Sequence, residues 1–312
     1  MKEKIVKTLL KHGLLATPQI IKKIEENGIE NFLQSAKIHG VFLTEEKNKI
    51  QVSVKKLGKK QERLRPEDFV SYYRSRYEKI KNILLEKIDA VSINKLKTTP
   101  YNIATIGMVR EATRNGFILE DPTGEVSVIS RKSVMPNDVI AVRGFYREGK
   151  LIESEIIYPD IPLKLHNTTF QNTKIIFMYE DLRERINKTP TLTFIVEKIK
   201  NSEKNTFSGL TSPSWIELKT KENKITVLFF EPEKNLGYED IKLILKKRHL
   251  YPESVHITGP EDEFVLTSVP DIFWIIGENY WKEVYKGVTV ISTPKHGFAV
   301  IDLETWNINF TT

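Results

Sequence analysis

The spacing of apolar residues changes period along this chain, and each change marks an expected boundary. Residues 1–43 carry helical spacing: Gly13 closes a first helix, Thr17-Pro18 caps and opens a second, and Asn27-Gly28 breaks it. Residues 44–65, with the text EEKNKIQVSVKKLGKKQERLR, are dense in charge and poor in period, which predicts a linker. Pro66-Glu67-Asp68 then starts a long helix with carboxylates at its positive end. Phe69, Tyr73, Tyr77, Ile80, Leu84 and Ile88 follow three or four apart, so one face of 66–98 is expected to pack on a domain rather than to stack bases.

Between 99 and 160 the period drops to two. NIATIGMV, GFILED, EVSVI, DVIAVRG and KLIESEII are short runs parted by turn signals at Asn115-Gly116, Asp121-Pro122-Thr123-Gly124, Pro136-Asn137 and Glu148-Gly149. Five strands in so short a span predict a small closed barrel of the OB type. Beyond it, 161–312 alternates buried apolar runs with fewer helices. The runs are 174–178, 192–196, 225–230, 264–266, 272–276, 288–291 and 298–301, and the clearest helix is 238–248. A layered α/β domain is expected there, which makes the whole an α+β multidomain chain.

Composition narrows the chemistry. At 312 residues and 40% hydrophobic content the chain is long enough for more than one core. The first residues, MKEKIVKTLLKHG, carry charge through their apolar stretch, and no long apolar run follows. Neither a signal peptide nor a membrane span is expected, and the cytoplasm, near the nucleoid, is the expected location. With no cysteine, disulfides and thiolate metal sites are excluded, which leaves six histidines and the carboxylates as metal ligands.

The net charge of +7 is uneven: residues 1–100 hold 22 Lys and Arg against 12 Asp and Glu, a balance of +10. Such a field suits a polyanion, or is a solvated basic surface. The candidate nucleic-acid contacts are Lys55, Lys56, Lys59 and Lys60, with Arg110, Arg114, Phe117, Arg131 and Arg143 of the barrel.

The run at 174–178 stops abruptly at Tyr179-Glu180-Asp181-Leu182, as buried strands do in metal-dependent hydrolases, with His166 the nearest histidine. The histidines read as structural. His249 ends a helix, where a cation suits the C-terminal dipole; His256 and His296 fall in loops; His12 and His39 lie beside glycines; His166 sits in a connector. No Ser/His/Asp set and no phosphate-cradling glycine loop is present.

PEDFVSYYRSRYEKIKNILLEKIDAVSINKL running into ATIGMVREATRNGFILEDPTGEVSVI, then DVIAVRGF and EIIYPDIPL, resembles the small (B) subunit of archaeal family-D DNA polymerases. LILKKRHLYPES and VPDIFWIIGENYWKEVYKGVTVIST resemble its C-terminal half. The likeness runs in order from Pro66 to Ser292 and is poor between Thr169 and Lys224. It implies an OB barrel joined to a calcineurin-like phosphodiesterase domain. Active members hold two metal ions through Asp-x-His, Gly-Asp-x-x-Asp, Asn-His and Gly-His-x-His. Here the first motif falls on Glu180-Asp181-Leu182, and neither a Gly-Asp nor an Asn-His dipeptide exists. The strand ending at Phe230 is followed by Glu231-Pro232, and the closing motif falls on the stretch from Trp274 through Glu278 to Tyr280.

The resemblance therefore implies a degenerate metal site at Glu180, Asp181, Leu182, Glu231, Trp274, Glu278 and Tyr280, with no catalytic residue, metal or cofactor. The implied role is a non-catalytic accessory subunit that docks on and stabilises the catalytic (large) subunit of a replicative DNA polymerase, of family D or family B, with weak DNA binding. Trp274, Tyr280, Trp281 and Tyr285 are the expected partner contacts, because aromatic residues dominate binding hot spots. Two alternatives stand beside it: a free-standing single-stranded-DNA-binding OB protein, and a residual metal-dependent 3'-5' phosphodiesterase that rebuilds its site from carboxylates.

Overall fold

A computed structural model describes residues 2–11, 14–16, 18–28, 36–39, 42–45, 50–58, 63–98, 101–165, 170–185, 192–198 and 205–311. The chain divides into two units, residues 1–51 with Lys219–Glu222, and the remainder. In the first, helices α1 (Lys2–Lys11) and α2 (Pro18–Asn27) pack through Leu9, Leu14 and Ile24, and a hairpin of β1 (Ala36–His39) and β2 (Phe42–Glu45) follows. Gly28, at a left-handed φ of +82°, ends α2 as expected, its amide bonded to the Ile24 carbonyl. Gly13 and Thr17, and the side chain of His39, lie outside the described residues, as do His12 and His166.

The second unit begins with a correction. The segment 44–65 was expected to be a linker, yet Gln51–Lys56 forms β3 at the edge of a six-stranded sheet, and the next residue, Leu57, is buried in the core beneath it. Its side chains are mostly exposed, and an exposed edge strand shows little apolar periodicity. Helix α3 (Pro66–Leu85) opens as expected at Pro66, with the Asp68 carboxylate accepting the Arg65 amide at 2.8 Å. Its Tyr77, Ile80 and Leu84 pack on Ala104, Ile106 and Met108, whereas Phe69 is exposed.

The five expected strands close into a barrel: β4 (Ile103–Thr113), β5 (Gly116–Asp121), β6 (Gly124–Ile129), β7 (Val139–Arg147) and β8 (Lys150–Ile157), in the order β4-β5-β6-β8-β7. Alternation explains why β4 reads as one apolar run. Ala104, Ile106 and Met108 face α3, while Val109 turns into the barrel core with Phe117, Leu119 and Val142. Gly144 sits at a bulge between β7 and β8, where a Cβ would fall 2.1 Å from the Ile152 carbonyl oxygen.

Two mixed sheets follow. The first has the order β11-β10-β9-β17-β18, built from β9 (Lys174–Met178), β10 (Leu192–Ile195), β11 (Thr206–Ser208), β17 (Phe298–Asp302) and β18 (Ile308–Thr311). The second has the order β15-β16-β14-β13-β12-β3, with β12 (Ser214–Lys219), β13 (Lys224–Phe230), β14 (Ile272–Ile276), β15 (Trp281–Tyr285) and β16 (Val288–Thr293). Leu228, Phe230, Phe273 and Ile275 of the second sheet pack under helix α4 (Tyr238–Lys247). Phe229 and Trp274, alternating with them, lie 4.4 Å apart with their rings tilted, and Phe177 of β9 stacks on Trp274 at 4.7 Å.

That arrangement corrects the α/β expectation for 161–312: among the described residues α4 is the one α-helix there, and a second sheet covers the inner face. Strands apolar on both faces announce two covered faces without saying what covers them. Residues 264–266 are likewise not a strand; Val265 makes only an isolated bridge to His249. Among the described residues no helix is long and apolar enough to cross a membrane.

Candidate functional site: the strand ends

β9 runs into Tyr179-Glu180-Asp181, and the parallel neighbours β13 and β14 run into Glu231 and Gly277. The loop between β16 and β17 ties these ends together. Lys295 places Nζ 3.0 Å from Glu231 Oε1, 3.3 Å from the Tyr179 hydroxyl and 4.4 Å from the Tyr179 ring centre. Those hydrogen bonds push the Lys295 pKa up. His296 Nδ1 lies 3.1 Å from Glu180 Oε2. Asp181 is held by Arg183 through both Nε and Nη2 at 2.8 Å, and these hydrogen bonds lower its pKa.

Glu180, Asp181 and Glu231 thus each face a cation or imidazole of their own rather than a shared centre. Among the described residues no three His, Asp or Glu side chains converge as a metal site would require. Leu182 packs beside Ile176, Met178 and Phe298, and the Glu278 side chain is exposed. The Tyr280 hydroxyl donates to the Thr311 carbonyl at 2.7 Å while its ring leans on Phe310. Gly297 lies beneath it, and a Cβ there would fall 1.5 Å from the Tyr280 oxygen, so any other residue requires the Tyr280 ring to shift.

Trp274 corrects another expectation. It was expected on a partner surface, yet it is fully buried within the chain, and its indole N–H donates to Thr293 Oγ1 at 2.9 Å. Trp281 and Tyr285, on the edge strand β15, are half-buried against the core, and the Tyr285 hydroxyl donates to Asp160.

The expected nucleic-acid face is also altered. Phe117 is 2% exposed inside the barrel, so its ring is unavailable for stacking. Arg110 pairs with Glu125, and Arg143 with Glu155, which cancels much of their field. Arg114, Arg131, Lys55 and Lys56 are exposed, and Lys59 and Lys60 fall outside the described residues.

Sequence reasoning missed a buried charged seam. Asp262, with no exposed surface, accepts from Arg76 Nε at 2.7 Å and the Phe264 amide at 3.0 Å, and sits 2.9 Å from His249 Nε2. Nearby, Lys247 pairs with Asp138 at 2.7 Å. Arg76 alone left a signal: three residues after Tyr73 and four before Ile80, it is a charge on the apolar stripe of α3. His249 is not the cation expected at a helix end. Burial pulls its pKa down, and its Nδ1 accepts the Tyr251 amide at 3.1 Å, so the ring is neutral and carries its proton on Nε2.

No family model matches the chain. Proteins described as DNA polymerase II small subunit are similar to part of it. That of Archaeoglobus fulgidus is 26% identical over 123 residues, 36% of this chain and 25% of that protein. That of Methanothermobacter thermautotrophicus is 28% identical over 113 residues, 30% of this chain and 23% of the relative. That of Pyrococcus abyssi is 33% identical over 116 residues, 31% and 19% respectively. The matches span a quarter or less of each relative's length. The resemblance to archaeal polymerase small subunits is borne out over that portion.

Proposed function

We propose that this chain is a non-catalytic accessory subunit of an archaeal replicative DNA polymerase. It docks on the catalytic subunit and stabilises it. Its barrel, residues 99–160, is of the OB type, and 161–312 is a calcineurin-like double-sheet domain whose metal site has decayed. Residues 1–43, which carry α1 and α2, and the helix of 66–98 precede them in the chain. The Greek-key strand order of the barrel and the stacked parallel strands beyond it support this architecture.

The observation that carries the reading is what surrounds the strand-end carboxylates. Glu180 faces His296, Asp181 faces Arg183 and Glu231 faces Lys295. A two-metal phosphodiesterase needs such oxygens free and convergent on the ions. An ammonium within 3.0 Å of Glu231 occupies that space and repels a cation. DNA affinity, carried by Arg114, Arg131, Lys55 and Lys56, is weak, indifferent to sequence and steeply dependent on salt. Of the aromatic residues, Tyr280, Trp281 and Tyr285 remain as partner contacts.

Two measurements test the proposal. Single-stranded and mismatched DNA incubated with the protein in excess Mn²⁺ stays intact; digestion that Glu180→Ala abolishes overturns the non-catalytic reading. Mixed with the large subunit of an archaeal family-D polymerase, the protein forms a complex that survives high salt, because apolar docking is screened far less than phosphate contacts. Failure to bind that subunit, and a family-B catalytic chain tested beside it, sinks the accessory role.

A further inference from the structure

A groove of about 470 Å³ runs beside α4 on the face away from the paired sheets' contact, within the size range of protein binding sites. Phe230, Leu236, Ile244 and Leu250 form its buried floor, and the half-exposed Leu243 and Tyr251 flank it. Its charged groups are all exposed: Glu233, Asp240 and Glu253 against Lys234. Lys234 is tied to Glu253 at 3.0 Å, and Asp240 accepts the Gly237 amide at 2.9 Å. In a chain of net charge +7 this opening is locally acidic.

We infer that the groove receives a basic amphipathic segment of the catalytic subunit, with apolar side chains on the floor and Lys or Arg beside Glu233 and Asp240. The identity of the partner rests on the accessory-subunit reading; the chemistry of the segment rests on the groove alone. Charge decides against nucleic acid, since with Glu253 paired to Lys234 the margin keeps Glu233 and Asp240 as excess negative charge that repels phosphates. The floor decides against a small polar ligand, because no buried polar side chain there would orient one. An apolar trough with an oppositely charged margin is how grooves take amphipathic peptide segments.

Selection of displayed random peptides on the full chain tests this. Enriched sequences carry spaced apolar anchors flanked by Lys or Arg. A synthetic winner loses about tenfold or more in affinity with Leu243→Asp, the cost of replacing an apolar contact at the groove's edge with a charge. Glu233→Lys lowers affinity about threefold at low salt, and high salt erases that difference. Thermal melting confirms that Leu243→Asp is folded, and Glu233→Lys, on an exposed site, supplies the second variant. No enrichment, acidic winners, or binding indifferent to both variants overturns the proposal. A homodimer that Leu243→Asp dissociates gives the groove to a second copy and overturns it as well. A large-subunit complex that Leu243→Asp leaves intact overturns the choice of partner, whereas wild-type protein that takes basic peptides but no polymerase subunit sinks the accessory reading and leaves the groove standing.

Discussion

The buried seam and the strand ends use similar side chains on opposite terms. At the seam, Arg76, Asp262 and His249 are each no more than 5% exposed and are hydrogen-bonded to one another. At the strand ends, Glu180 and Glu231 are half-exposed, and His296 stands 83% exposed. A buried charge is tolerated only when its partners satisfy it, so the seam demands one arrangement of α3 and the loop that carries Asp262. A half-exposed pair is solvated whatever its partner does and contributes little. The seam therefore constrains the packing, and substitutions at the strand ends are expected to leave the protein folded.

The largest effect expected is at the seam. Asp262→Ala strands Arg76 in the interior and costs about 3–5 kcal/mol, whereas Glu231→Ala costs about 1 kcal/mol or less. Urea unfolding of the two variants measures the contrast, and equal losses would erase the distinction between the regions. Trp274→Ala, which empties the space between the sheets, costs a similar 3–5 kcal/mol and leaves polymerase binding by the folded fraction unchanged. Reduced binding by folded protein would return Trp274 to the partner surface.

Acidity gives an intermediate effect. Burial draws the Asp262 pKa up, but hydrogen bonds from His249 and Arg76 and the Arg76 charge outweigh it and hold the carboxyl at about 2. His249 is also shifted down, by burial. Both groups therefore have folded pKa values below their unfolded ones, and the unfolded chain binds more protons. Stability is complete near neutrality and falls on acidification, first below about 6.5 as His249 counts, then between about 4 and about 2 as Asp262 does. Denaturant midpoints between pH 7.5 and 5 should fall in the wild type and flatten in His249→Gln; parallel slopes would remove His249 from the seam's proton balance. The smallest effect belongs to the barrel surface. Arg143→Ala, which breaks an exposed pair with Glu155, costs about 0.2–1 kcal/mol in thermal unfolding and leaves DNA affinity nearly unchanged. A large loss of DNA affinity would show that Arg143 leaves Glu155 for phosphate.

Much of the fold was legible in particular residues. The five barrel strands stood out because turn pairs such as Asn115-Gly116 and Glu148-Gly149 punctuate alternating runs. Pro66 marked α3 because its ring suits a first helical turn. By contrast the β1–β2 hairpin, in a segment expected to be helical and then a linker, β3, β12 and β15 in the six-stranded sheet, and β11 and β18 at the edges of the five-stranded one were not predicted, since short strands with an exposed face or edge lack continuous apolar text. That Leu182 and Tyr280 stand where the resemblance implies histidines was readable residue by residue; the pairing of Glu180 with His296, 116 residues away, was not.

What the sequence determined by itself is local: helix starts, turns, strand alternation, the basic N-terminal third and the absence of cysteine chemistry, all of which follow from neighbours in the chain. What only the tertiary structure decided is which charges are buried together and which faces are covered. Asp262 and Arg76 lie 186 residues apart, and nothing beside Asp262 in the chain marks it as a buried acceptor. Burial and pairing belong to packed space rather than to sequence neighbourhood, and the cost of a buried charge depends on groups the chain supplies from elsewhere.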